Sequence, residues 1–109
     1  MINLIIIPAR AGSKRLKNKN KKKINNLSLV EHTIIFAKKL NITPYILVST
    51  NDREILKTSL KYKILTPWLR PMKFSTDKSK SIEFTLHAIS WFNKTFGRLD
   101  NIILLQPTS

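Results

Sequence analysis

The sequence predicts an α/β fold in which a parallel sheet carries flanking helices on both faces. Four apolar runs of β type alternate with three segments of helical period, in the order β-α-β-α-β-α-β. Two of those runs, Ile5-Ile6-Ile7 and Ile102-Ile103-Leu104-Leu105, are continuous rather than alternating, the pattern of strands covered on both faces. Gly12 and the densest positive charge in the chain fall just beyond the first run, at the strand end where such sheets hold ligands.

The elements follow in order. A strand is predicted over Asn3–Ile7. A helix begins at Ser28, because Ser28-Leu29-Val30-Glu31 fits a capping box ahead of the apolar series Val30, Ile34 and Ala37. A second strand covers Tyr45–Ser49. The second helix starts near Asn51, with Glu54 three residues on and Ile55, Leu56 and Leu60 as its apolar set. A weaker third strand is read over Lys61–Leu65. The third helix runs from about Ser81 to Thr95 with Ile82, Leu86, Ile89 and Phe92 on one face, and the last strand is Asn101–Leu105. Strands joined by helices of this length pair in parallel through right-handed crossovers. Two connections, Pro8 to Leu27 and Thr66 to Lys80, exceed simple links, and long loops in a compact domain are usually functional. A strand expected to be buried lies directly before Gln106-Pro107-Thr108-Ser109, which leaves an edge to be covered. Residues 1–109 are therefore expected to be one part of a larger single domain, incomplete at the C-terminus.

Composition narrows the class. Hydrophobic residues make up 42% of the 109, enough for a packed core and too many for a disordered tail. There is no cysteine, which excludes a disulfide framework and a thiolate metal site and accords with a cytoplasmic setting. The apolar start is short, lacks a positive leader and is interrupted by Pro8 and Arg10, so it reads as a strand and not as a signal peptide. No apolar run approaches the roughly 20 residues that cross a bilayer, and no membrane partner is expected. The formal net charge of +14 points to a polyanionic partner: nucleic acid, a membrane surface or a multiply phosphorylated ligand. A compositional bias toward lysine, isoleucine and asparagine accounts for part of the excess but not for its concentration in one loop.

That loop reads IPARAGSKRLKNKNKKK from Ile7 to Lys23, and seven of the ten residues from Lys14 to Lys23 are basic. Gly12 lets backbone amides approach a phosphate without a Cβ in the way, Arg10 and Lys14 offer charge, and Ser13 offers a hydroxyl. These residues suit a triphosphate cradle; the bland alternative is a solvated basic loop. The loop lacks the second glycine of a Walker A motif and is not a Gly-x-Gly-x-x-Gly turn.

The run from Ile7 to Asn20 resembles the signature of the acylneuraminate cytidylyltransferases, the CMP-sialic acid synthetases and their pseudaminic and legionaminic acid relatives. Those enzymes carry Pro-Ala-Arg-Gly/Ala-Gly-Ser-Lys, a short spacer and Lys-Asn. Here these are Pro8, Ala9, Arg10, Ala11, Gly12, Ser13 and Lys14, then Lys19 and Asn20. Three later segments are similar to family motifs in the same order: Ser49-Thr50-Asn51-Asp52, Arg70-Pro71 with Ser79 and Ser81, and Leu105-Gln106-Pro107-Thr108-Ser109. The resemblance implies a Rossmann-like nucleotidyltransferase, with this chain as its N-terminal, CTP-binding part. It implies a reaction in which a sialic-acid-like (nonulosonic) sugar acid is joined to CMP and pyrophosphate leaves.

The same resemblance implies roles. Arg10 and Lys19 are the catalytic cations, meeting the CTP phosphates and the charge of the transition state. Gly12, Ser13, Lys14 and Asn20 belong to the nucleotide site, as do Arg70, Ser79 and Ser81 toward the cytosine. Gln106 faces the sugar acid. Alternatively, Arg70 is a surface charge and the two serines cap the third helix. Magnesium is the implied cofactor, with ligands expected beyond Ser109; the full-length enzyme is expected to be a homodimer, and this chain alone inactive. Asp52 and Asp77 read as structural or as helix N-terminal charges. This chain departs from the pattern at Asn26-Leu27-Ser28, where relatives have Gly-Lys-Pro, and in the spacer Arg15-Leu16-Lys17-Asn18, which lacks the common glycine or proline.

Two other readings suit parts of the sequence. A small basic nucleic-acid-binding domain would use the charge but would leave the continuous strands unexplained, and no RNP or zinc pattern supports it. A 3-deoxy-manno-octulosonate cytidylyltransferase would keep Pro-Ala-Arg but lacks the Gly-Ser-Lys present here. His32 and His87 have no partner motif, Trp91, Phe92 and Phe96 read as packing, and Trp68 reads either as packing or as a pocket wall.

Overall fold

The computed structural model describes residues 2–9, 23–24, 27–71, 73 and 81–107. In chain order its elements are β1 (Asn3–Ala9), β2 (Lys23–Ile24), β3 (Leu27–Ser28), α1 (Leu29–Leu40), β4 (Ile46–Thr50), α2 (Arg53–Leu60), α3 (Ser81–Phe96) and β5 (Asn101–Leu104). β1 pairs in parallel with β4 on one side and β5 on the other, Ile6 standing beside Leu47 and Leu104. β2 and β3 form a separate antiparallel pair leading into α1. The expected α/β architecture is present.

Alternation along the strands sorts their side chains onto two faces. Ile5, Ile7 and Ala9 of β1 and Ile46 and Val48 of β4 pack against Val30, Ile34 and Ala37 of α1 and Ile55 of α2. Leu4, Ile6 and Leu47 pack on the other face against Ala88 and Phe92 of α3. The central strand is thus covered on both sides, as its continuous apolar run predicts.

β1 runs two residues further than predicted, through Pro8. Ile5 donates its N–H to Tyr45 O of the β4 side and Leu105 donates to Ile6 O, so odd residues of β1 bond toward β4 and even ones toward β5. Proline lacks an N–H to give, and Pro8 falls beyond Ile6, the last residue of β1 in register with β5.

Capping chemistry fixes the helix starts. Ser28 caps α1, its Oγ accepting from Glu31 N while the Glu31 carboxylate accepts from Ser28 N, the predicted capping box. At α2 the cap is Asp52 rather than Asn51: its Oδ1 accepts from the amides of Glu54 and Ile55.

Four expectations are corrected. Lys61–Leu65 is not a strand. Residues 61–63 close α2 through bonds back to Thr58, Ser59 and Leu60, and only Leu65 and, four residues on, Leu69 bridge to β4. Pro67 lies between those bridges and cannot donate to a ladder. On α2 the buried residues are Ile55 and Ser59, while Leu60 is 55% exposed. α3 is rotated about its axis from the predicted stripe: Phe92 is buried as expected, but Phe84 and Ala88 accompany it, whereas Ile82 and Leu86 are 57% and 55% exposed. Finally, β5 is not buried on both faces. Ile103 and Leu105 pack on the α1 side, but Ile102 and Leu104 remain 38% exposed, since α3 lies over β1 and β4.

One polar contact joins the two helices of the first layer. Tyr62 donates its hydroxyl to Glu31 Oε2 at 2.6 Å, tying the end of α2 to the start of α1. Burial pushes the Glu31 carboxyl up, but the bonds from Tyr62 and Ser28 and the Lys61 charge outweigh it and hold it below its ordinary 4.5. The bond to Glu31, with burial and the carboxylate charge, raises Tyr62 from 10.0 to about 12. The folded-state value of Glu31 is depressed, so its contribution is present above 4.5 and is lost as pH falls through the lower folded value. That of Tyr62 is raised, so its contribution is present below 10.0 and is lost as pH rises through about 12. Glu31→Gln is expected to flatten the acid limb of a denaturant-stability profile and Tyr62→Phe the alkaline limb; parallel limbs in variant and wild type would contradict the linkage.

Candidate functional site

The strand order places β1 between β4, which follows it through α1, and β5, which follows much later in the chain. The order of connection reverses there, and the crevice outside the carboxyl ends of such strands is where open α/β sheets bind ligands. The basic loop leaves from Ala9 at that edge, and Gln106 follows β5 at the same edge, exposed. Ser81 opens α3. Arg10, Gly12, Ser13, Lys14, Lys19, Asn20 and Ser79 lie outside the described residues.

Two hydroxyl residues at the end of β4 organise this edge. Thr50 donates its hydroxyl to Ala9 O at 2.6 Å and accepts from Asp52 N at 3.0 Å. It therefore ties the root of the basic loop to the N-terminus of α2. Thr50 O also accepts from Arg70 N at 2.6 Å, extending the sheet past β4.

Arg70 is not a surface charge. It is 3% exposed. Its Nε donates to Ser49 Oγ at 3.0 Å, its Nη2 donates to Ser49 O at 2.8 Å, and its guanidinium carbon lies 4.5 Å from the centre of the Phe84 ring. A guanidinium stays charged under all ordinary conditions, so burying it requires such acceptors and a π face. The predicted site residue is thus fixed at the carboxyl edge, adjoining Thr50 and the loop root.

His87 stands one turn from Phe84, its ring 4.4 Å from Trp68. Burial pushes its pKa down, and the charges of Arg70 and Lys73 push it further in the same direction. Trp68 packs with Trp91 on the α3 side of the core. Asp52 caps α2, in keeping with its reading as a structural or helix N-terminal charge. Among the described residues no group of three or more His, Asp or Glu could hold a metal ion, and no helix is long and apolar enough to cross a membrane. Sequence reasoning placed Ser49 and Thr50 in a motif without assigning them work, and it missed Phe84, which reads only as one more apolar helix residue.

Comparison with known proteins gives a consistent result. Residues 4–95 match the cytidylyltransferase family. The CMP-N,N'-diacetyllegionaminic acid synthase of Legionella pneumophila is 38% identical over 106 residues, covering 97% of this chain and 46% of that protein. A pseudaminic acid cytidylyltransferase of Campylobacter jejuni is 32% identical over 109 residues, 100% of this chain and 47% of that protein. The N-acylneuraminate cytidylyltransferase of an Escherichia coli O18:K1:H7 strain is 35% identical over 106 residues, 97% of this chain and 24% of that protein. The chain thus spans less than half the length of these relatives. The structure of a CMP:2-keto-3-deoxy-manno-octonic acid synthetase complexed with CTP superposes with a TM-score of 0.74 over 98% of this chain and 40% of that one, at 22% identity, a likeness of fold.

The link between β1 and β4 is open to test. Thr50→Val keeps the shape of a fully buried side chain but removes both hydroxyl bonds, leaving the Ala9 carbonyl and the Asp52 amide without this partner. The expected loss is about 1–3 kcal/mol in denaturant unfolding; an unchanged midpoint would contradict it.

Proposed function

The chain belongs to the cytidylyltransferase family, and from that premise we propose that it forms the CTP-binding part of an enzyme that joins a nonulosonic sugar acid to CMP. The observation that carries this reading is Arg70, a buried guanidinium docked on Ser49 beside the residue that holds the root of the basic loop. A base-side cation and a phosphate-side loop on one sheet edge suit a nucleoside triphosphate laid across the strand ends. The relatives at 32–38% identity carry legionaminic, pseudaminic and N-acylneuraminic acid in their names, which supports that class of sugar over 3-deoxy-manno-octulosonate.

In this reading Gly12, Ser13 and Lys14 cradle the phosphates. Arg10 and Lys19 offset the charge that builds on the α-phosphate, while Asn20, Arg70, Ser79 and Ser81 hold the nucleoside. Gln106 faces the sugar acid. The anomeric hydroxyl oxygen attacks the α-phosphorus; the bridge to the β-phosphate breaks, pyrophosphate takes the bonding pair, and the hydroxyl proton passes to solvent. Catalysis is then mainly a matter of position and charge, as in phosphoryl transfer generally. Magnesium is the cofactor of this proposal, but the described residues do not fit it. They hold no ligand cluster, and Asp52 Oδ1 accepts from two helix amides. The +14 charge serves the triphosphate rather than nucleic acid. The working enzyme is placed in the cytoplasm, as a homodimer.

Two measurements on the protein expressed from its complete gene test the proposal. With a nonulosonic acid supplied, pyrophosphate release is expected with CTP well ahead of UTP, ATP and GTP; equal rates with UTP would remove the base-selection claim. Arg10→Ala is expected to lower kcat by about 10²–10³ with a smaller change in the KM for CTP, because one preorganised donor to the transition state is lost. Arg10→Lys should recover part of this, since an ammonium cannot reproduce the fork. A lower melting temperature with kcat nearly unchanged would instead make Arg10 a structural residue.

A further inference from the structure

We infer that Ser49, together with Phe84, is a positioning residue that sets the direction and plane of the Arg70 guanidinium for a pyrimidine nucleotide. The inference rests on the reading of Arg70 as a nucleotide contact.

Ser49 is anomalous for its place. It follows Ile46, Leu47 and Val48 in a strand whose residues are all buried, and it is itself fully buried. A hydroxyl there is costly unless it is hydrogen-bonded. Alternation along β4 puts Ser49 on the face of Leu47, which is the α3 face. It meets Arg70 twice, its side-chain Oγ accepting from Nε at 3.0 Å and its backbone carbonyl accepting from Nη2 at 2.8 Å. Both donors lie on one edge of the guanidinium, so the pair fixes its rotation within its own plane. The plane itself is set from a second element, because the Phe84 ring of α3 lies 4.5 Å from the guanidinium carbon. Arg70 N is meanwhile bonded to Thr50 O, which fixes where the side chain begins.

A freely rotating arginine side chain loses rotamer entropy when it binds a ligand. Contacts from two rigid elements remove that freedom before the ligand arrives, and preorganisation of this kind is read out as affinity. The hydroxyl of Ser49 thus acts on the nucleotide through Arg70.

The test is a double-mutant cycle read by the dissociation constant for CTP, on the protein expressed from its complete gene. Ser49→Ala and Arg70→Lys are each expected to weaken CTP binding about tenfold, near the lower end for one hydrogen bond to a charged group. The double variant should be no weaker than Arg70→Lys alone, because Ser49 has nothing left to aim. Ser49→Thr, which restores the hydroxyl, should recover most of the affinity. If Ser49→Ala lowers the melting temperature but leaves CTP affinity unchanged, or if its loss adds in full to that of Arg70→Lys, Ser49 is a strand residue only and the inference fails. If Arg70→Lys leaves CTP affinity unchanged, the reading of Arg70 fails and the inference with it. Should Ser49→Ala not fold, Phe84→Leu carries the same cycle: a roughly threefold loss that vanishes in the Arg70→Lys background supports the inference, and a full additive loss or none overturns it.

Discussion

Everything in this structure depends on β1 being buried on both faces. Leu4, Ile5, Ile6 and Ile7 send apolar side chains alternately to either side, and none is exposed. A strand of that composition is stable only when each face has its own cover. α1 and α2 supply one cover and α3 the other. With both faces and both edges of β1 occupied, its carboxyl end is where the chain can present polar groups, and there the basic loop departs.

At that end the problem reverses from apolar burial to polar satisfaction. Ser49 and Thr50 are buried, as is Arg70. Each is explained by the others: Thr50 supplies its carbonyl to the Arg70 amide, and Ser49 supplies two acceptors to the guanidinium. Thr50 also reaches back to Ala9. A short hydroxyl-bearing stretch thereby links the loop after β1, the cap of α2 and the segment after Pro67. These bonds lie in a region shielded from water, where they are stronger and where leaving one unmade is costly. On the β4 side of this edge the buried polar groups are therefore joined to one another.

In the candidate site, residue type and motif position were legible in the sequence, and geometry was not. Arg70 and Gln106 were picked out by their place in motifs, and both stand at the predicted end of the sheet. The burial of Arg70 was not legible, because its acceptor lies 21 residues away. Phe84 was illegible for a related reason: only the choice of which stripe of α3 faces the sheet brings its ring to the guanidinium.

The same division runs through the fold. By itself the sequence determined the central strand, the capping box at Ser28 and Glu31, the inward face of α1 and the parallel α/β order. These follow from periodicity and from bonds spanning three or four residues, which need no distant partner. Tertiary structure alone decided that Leu65 and Leu69, not Lys61–Leu65, line β4, because Pro67 and the closing turn of α2 compete for the same residues. It also decided that α3 buries Phe84, Ala88 and Phe92 rather than Ile82 and Leu86. Both stripes are apolar and both contain Phe92, so hydrophobicity could not choose between them; the Arg70 guanidinium 4.5 Å from the Phe84 ring meets only one of them.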